Sequence, residues 1–335
     1  MRRTTAVLAA LSLIGVLAAC GGANPADRQQ SGSPAAEGFP ITVQNCGREL
    51  SFDEPPSRVV TGYLPPLETL IELGVEDRVI GRTPFDELGE GEGFLPGHEE
   101  IYQGIPEISE DISLPPKEEM LALGADLVVV VAYFEFDAES GRATIEELEA
   151  NGTQVFITGE WCSPEEVMEF EIQDSIDDVR DLGEIFGVPD RGEELAADLE
   201  ARLAEVDDRV EGLEPLRVVY ADPRDGAFNT KGRGLGNEVL ERAGGTNVFA
   251  DADDYAEVSV EEVAAADAQA YVVMQFLPVT AQERIAGIEA VAPNSEGVQE
   301  QRYVVVPAVA LHPGIRNIDS VEIIAKTLHP EAFDD

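Results

Sequence analysis

Glu118-Glu119-Met120-Leu121-Ala122-Leu123-Gly124-Ala125-Asp126-Leu127-Val128-Val129-Val130 reads as a short helix that opens on two acids and runs into a buried strand. Carboxylates suit the positive end of a helix. The glycine suits its close, and valines without polar alternation suit a strand covered on both faces. The pattern returns as Glu261-Glu262-Val263-Ala264-Ala265-Ala266-Asp267-Ala268-Gln269-Ala270-Tyr271-Val272-Val273. A second pair accompanies it. Arg58-Val59-Val60 begins a strand, Gly62-Tyr63-Leu64-Pro65-Pro66 is a loop, Leu67 to Gly74 a helix and Val79-Ile80-Gly81 a strand. Leu216 to Tyr220, a loop, Asn237 to Gly244 and Asn247-Val248-Phe249 repeat that order. Strand–helix–strand units imply parallel sheets with right-handed crossovers. The chain is therefore of α/β class with two similar lobes, 40–170 and 214–335.

Between the lobes, in 171–213, lies a helical region. Ile176, Val179, Leu182, Ile185 and Phe186 form one apolar stripe, and Leu195, Leu199, Leu203, Val206, Val210 and Leu213 another. Gly187-Val188-Pro189-Asp190 interrupts them, so two helices or one kinked helix are expected. Such a connector is stiff and permits only small rigid-body adjustment of the lobes.

The first residues are an address. Arg2 and Arg3 precede an apolar stretch, Ala6 to Ala19, that is too short to span a membrane. It ends in Leu17-Ala18-Ala19-Cys20-Gly21, which resembles the lipobox of bacterial lipoproteins, whose cysteine carries the lipid. Residues 1–19 are then the signal peptide. Residues 20–39, rich in Gly, Ala, Ser, Pro and Gln, are an anchor and flexible tether. The expected location is the outer face of the cell membrane. In that oxidising compartment Cys46 and Cys162 are expected to pair. Their bridge closes a long loop, worth on the order of 4–5 kcal/mol in the chain-entropy model.

Charge narrows the function. The 335 residues carry 67 acidic and 22 basic side chains, a net charge of −45, and loss of Arg2 and Arg3 takes it to −47. Such a surface repels phosphate backbones and excludes nucleic-acid binding. It suits a high-salt habitat, where screening removes self-repulsion. The chain has 3 histidines, His98, His312 and His329, far apart in sequence and poor material for a metal-ion site. Gly232-Arg233-Gly234-Leu235-Gly236-Asn237 has the look of a dinucleotide loop, but its third glycine is misplaced. No nucleophile elbow, His-Glu-x-x-His or Walker lysine is present.

Taken in order, Arg58 to Gly81, Ser113 to Val130, Gly244 to Asp251, Val258 to Val263, and Pro313-Gly314-Ile315-Arg316 running into Leu328-His329-Pro330-Glu331 resemble the class III substrate-binding proteins of ABC importers. That family includes binders of iron–siderophore complexes and vitamin B12. The resemblance covers most of Ile41 to Phe333. It implies two Rossmann-like lobes bridged by a long helix (the chelatase-like fold), a ligand cleft between them, a monomer and no catalytic step. It implies no cofactor beyond the iron of the ligand. The partners it implies are a permease and its ATPase, docked through one surface glutamate per lobe, Glu118 and Glu261, with the neighbouring Glu119 and Glu262 as alternatives for the same role.

Ligands of open α/β sheets lie at the carboxyl ends of the strands. The loops there carry Tyr63, Arg82, Phe85, Tyr133, Phe134 and Trp161 in the first lobe. In the second they carry Arg224, Phe228, Lys231, Arg233, Tyr255, Phe276, His312 and Arg316. Of these, Tyr63, Arg82, Tyr133, Trp161, Arg224, Lys231, Arg233, Tyr255, Phe276 and Arg316 form the expected binding set. Its five cations would make a local positive site for an anionic ferric siderophore, and its rings would cover the flat parts of the chelate. Cobalamin, haem, a bare metal ion and a chelatase-like activity remain as alternatives.

Overall fold

The computed structural model describes residues 38–85, 93–163, 169–224 and 226–334. The segment 1–19, Cys20 and the tether as far as residue 37 lie outside the described residues. The first lobe opens with an antiparallel hairpin, β1 (Ile41–Asn45) and β2 (Arg48–Phe52). Then come β3 (Val59–Thr61), α1 (Leu64–Glu72), β4 (Val79–Arg82), α2 (His98–Gly104), α3 (Lys117–Leu123), β5 (Leu127–Val130), α4 (Ile145–Ala150) and β6 (Gln154–Ile157). Its sheet is wholly parallel, in the order β4-β3-β5-β6.

Two helices follow, α5 (Ile172–Ile185) and α6 (Pro189–Val210). The second lobe contains β7 (Leu216–Tyr220), β8 (Asp222–Arg224), β9 (Ala227–Thr230), α7 (Leu235–Arg242), β10 (Gly245–Asn247), β11 (Ala256–Ser259) and α8 (Val260–Ala265). It continues with β12 (Ala270–Gln275), α9 (Ala281–Val291), α10 (Glu296–Gln299), β13 (Tyr303–Pro307) and α11 (Arg316–Leu328). Its parallel sheet runs β10-β7-β12-β13, the strand order of the first lobe. A small antiparallel sheet, β11-β9-β8, has no counterpart among the described residues of the first lobe. The doubled plan is thus present in both sheets.

One local expectation changes and one left open is decided. Pro65 and Pro66 are not loop residues but occupy the first turn of α1. Proline suits that place because its missing N–H would find no helical partner there. The connector is two helices, one of the two arrangements its sequence allowed, where the family resemblance implied a single long helix. Gly187 (φ 71°) and Pro189 turn the chain, and Gly183 of α5 lies against Gly192 of α6 so closely that a Cβ on Gly183 would sit 2.9 Å from the other Cα.

The apolar core crosses between the lobes. Val59, Leu127 and Val128 of the first sheet, Ile176, Val179 and Leu199 of the connector, and Val218, Val272, Ile318 and Val321 of the second lobe belong to one continuous cluster. A second, smaller cluster under Val219, Phe228, Tyr271 and Ile288 fills the far face of the second sheet. The seam between the lobes is polar in places. Ser175 of α5 donates to Asn317 Oδ1 (2.9 Å) and accepts from the Gly314 amide (2.8 Å). Glu68 of α1 faces Arg316 of α11 at 3.7 Å, and the glutamate is fully buried. Burial pushes the Glu68 carboxyl up to about 7 despite the Arg316 charge. Cys46 and Cys162 are joined as a disulfide, with Cα atoms 5.5 Å apart.

Candidate functional site

A cavity of about 520 Å³ opens where the carboxyl ends of the two sheets face one another. From the first lobe it takes Gly62 and Tyr63 after β3, Val131 to Glu135 after β5, Trp161 after β6, and Ile112. From the second it takes Arg224, Asp254, Tyr255, Phe276, Ala308 and His312. Strand ends place these residues, as in other open α/β sheets. Tyr63 sits in the left-handed region (φ 67°), held by its amide's bond to Thr83 Oγ1 (2.8 Å), while Gly62 leaves room for Val130.

Seven rings meet here: Tyr63, Tyr133, Phe134, Trp161, Tyr255, Phe276 and His312. His312 is their centre, 5.2 Å from Tyr63, 5.8 Å from Trp161 and 6.2 Å from Tyr255 between centroids. Its Nδ1 donates to the Ala308 carbonyl (3.2 Å). Burial and the nearby Lys231 charge push its pKa down to about 3, so the imidazole is neutral at physiological pH. Glu135 also lines the cavity. Its Oε2 accepts from the Leu114 amide (2.9 Å), and burial raises its pKa.

Of the ten expected binding residues, Tyr63, Tyr133, Trp161, Arg224, Tyr255 and Phe276 line the cavity. Phe134 and His312, from the same strand-end loops, line it too. The other four, all cations, do not. Arg82 is buried behind the wall, 3.4 Å over the Tyr102 ring and 3.0 Å from Glu107. Lys231 is fully buried beneath Tyr255, with Nζ 2.9 Å from Asp254. Arg233 turns outward to pair with Asp253, and Arg316 turns into the seam toward Glu68. The expected cluster of five cations is therefore a single one, Arg224. In so acidic a chain each of the others has found an internal carboxylate.

Arg224 is itself supported. Its Nε lies 2.7 Å from Asp222, and its guanidinium lies 4.7 Å from the Phe276 centroid. Asp222 is buried and also pairs with the buried Arg284, which covers the same ring at 4.1 Å. Sequence reasoning missed Ile112, Glu135 and Asp254. The last two adjoin named aromatics, which was the available signal; Ile112 carried none. Phe85 packs behind Tyr63 (5.8 Å), and Phe228 lies in the far core.

Glu118 and Glu261 are exposed in the first turns of α3 and α8 and make no side-chain hydrogen bond or ion pair among the described residues. Their neighbours differ. Glu262 is committed to a capping box with Ser259 (2.8 Å to its amide), whereas α3 begins after Pro116 without a side-chain cap.

The sequence profile of periplasmic binding proteins matches residues 59–303. The chain belongs to the periplasmic binding protein family. An uncharacterized ABC transporter substrate-binding lipoprotein of Bacillus subtilis, YvrC, is 22% identical over 99% of both chains. Among solved structures, a periplasmic binding protein from Veillonella parvula superposes with a TM-score of 0.73 at 21% identity, covering 87% of this chain and 97% of its own. An ABC-type Fe3+-hydroxamate transport protein from Saccharomonospora viridis gives 0.67 at 26%, covering 89% and 100%. The apo haem-binding protein RhuT from Roseiflexus sp. gives 0.61 at 21%, covering 82% and 99%. This periplasmic binding protein is the solute-binding component of an ABC transporter, not an enzyme. Its role implies a solute, a permease and an ATPase.

Proposed function

We propose that the cleft binds a ferric siderophore-type chelate that is close to electrically neutral. The observation that carries this is a wall of seven rings around one guanidinium. Aromatic faces suit the flat organic parts of a chelate, and Arg224 offers directed donors to its oxygens. A highly charged anion would need the cations that instead neutralise Asp254, Asp253, Glu107 and Glu68. The Saccharomonospora viridis relative, named for Fe3+-hydroxamate transport, supports the same class. A second reading, haem, rests on His312, whose neutral imidazole stands among the rings.

Titration of the purified protein separates them, read through Trp161, the sole tryptophan. Ferrichrome, a neutral ferric trihydroxamate, should bind at least about tenfold more tightly than a trianionic ferric tricatecholate, a gap of about 1.4 kcal/mol. Preference for haem, with a Soret band that shifts in His312→Ala, would replace this reading with the second. Binding only of cobalamin or free iron would overturn both.

In this reading the protein is held outside the cell by lipid on Cys20, and Glu118 and Glu261 meet basic pockets of the permease. Cys20→Ser should move the protein from the membrane to the medium. Equal retention in the detergent phase would remove the anchor from the proposal.

A further inference from the structure

The β1–β2 hairpin lies outside both parallel sheets and contributes no residue to the cavity, yet two consecutive residues of it reach the cavity wall. Asn45 is buried and grips Ile157, the last residue of β6, in both directions. Its Nδ2 donates to the Ile157 carbonyl, and its Oδ1 accepts from the Ile157 amide, each at 2.8 Å. The next residue, Cys46, is bonded to Cys162. The hairpin thus holds both ends of the segment from Ile157 to Cys162. Trp161, the residue before Cys162, lines the cavity. Its carbonyl accepts from the Tyr133 amide (3.0 Å), so the same segment also fixes the start of the turn that presents Tyr133 and Phe134. Arg48 adds a further tie, donating to the Val155 carbonyl (2.8 Å).

We propose that Asn45 and Cys46 are positioning residues for the binding site: the hairpin sets the place of the Trp161 indole, and ligand affinity depends on it although the hairpin touches no ligand. A preformed wall spares the ligand the loss of freedom involved in ordering it. The part concerning affinity rests on the ferric-chelate reading; the part concerning Trp161 does not.

The test compares full-length wild type, Asn45→Ala (bridge intact) and Cys46→Ala/Cys162→Ala. Each is assayed well below its melting temperature for acrylamide quenching of Trp161 and for ferrichrome affinity. Both variants should raise the quenching constant of the unliganded protein at least about twofold and weaken ferrichrome binding about tenfold. A hairpin that merely stabilises the fold would lower the melting temperature and leave both readouts where they were; that result overturns the proposal. If the double variant does not fold, Asn45→Ala decides alone. If the wild type binds no ferrichrome, the ferric-chelate reading fails, while unliganded quenching still decides whether the hairpin positions Trp161.

Discussion

The two walls of the cleft present similar rings on different foundations. Tyr63, Tyr133, Phe134 and Trp161 of the first lobe are held by backbone bonds, an asparagine and a disulfide. Tyr255 and Phe276 of the second lie over buried ion pairs, Lys231–Asp254 and Asp222–Arg284. A foundation of backbone hydrogen bonds, one amide side chain and a disulfide survives the loss of one contact without stranding a charge. A buried pair does not, because the surviving charge is left without a partner or water. The second wall is therefore the one that single charge changes should damage most.

Asp222→Ala is the severest way to break the comparison. It strips the carboxylate from both Arg224 and Arg284 and should lower unfolding free energy by about 3–5 kcal/mol, measured by urea denaturation. Tyr133→Ala, on the other wall, should lower it by about 1 kcal/mol. Equal losses would show that the foundations are equivalent.

Next in size is the seam that joins the walls. The Glu68 carboxyl, ordinarily near 4.5, is raised by burial to about 7 in the fold. Between those values the folded protein keeps a proton that the unfolded chain has lost. This group's contribution to stability is therefore present below pH 4.5 and is lost as pH rises through 7, by roughly 3 kcal/mol in all. Glu68→Gln removes the dependence, so wild type minus variant should be level at low pH and decline toward pH 8. Parallel pH–stability curves would mean that Glu68 is already ionised beside Arg316.

The smallest effect on the purified protein belongs to the rim. Glu118→Ala/Glu261→Ala should leave ligand affinity within error, since neither residue lines the cavity. Uptake, or ATPase stimulation in a reconstituted transporter, should fall by about tenfold or more through slower, misoriented encounter. Normal uptake would remove the docking assignment. Lost affinity would place these acids in the cleft.

The sheets were legible because most of their strands are short apolar runs beside a helix with its own start signals, as at Leu127 to Val130 and Ala270 to Gln275. β10 is not such a run, and it lies at Gly245–Asn247 rather than at the expected Asn247-Val248-Phe249. The aromatic half of the site was legible because strand ends deliver their loops to one place. The cations were not. Sequence shows which loop holds an arginine but not which way it turns, and that choice is made by distant acids. Arg316 answers to Glu68 on a helix of the other lobe, and Lys231 to Asp254 beyond β10. Two helices in the connector were visible as an alternative, decided by the turn at Gly187 and the close approach of Gly183 to Gly192.

The core that passes without a break from β3 through α5 and α6 to α11 has a consequence for the transporter. Rotation of either half would tear apolar packing, so the expectation is that an empty and a loaded protein offer the permease nearly the same silhouette. Occupancy must then be announced by short-range changes at the cleft's lips, where Phe134 and Tyr255 stand exposed. The permease has to read texture rather than shape.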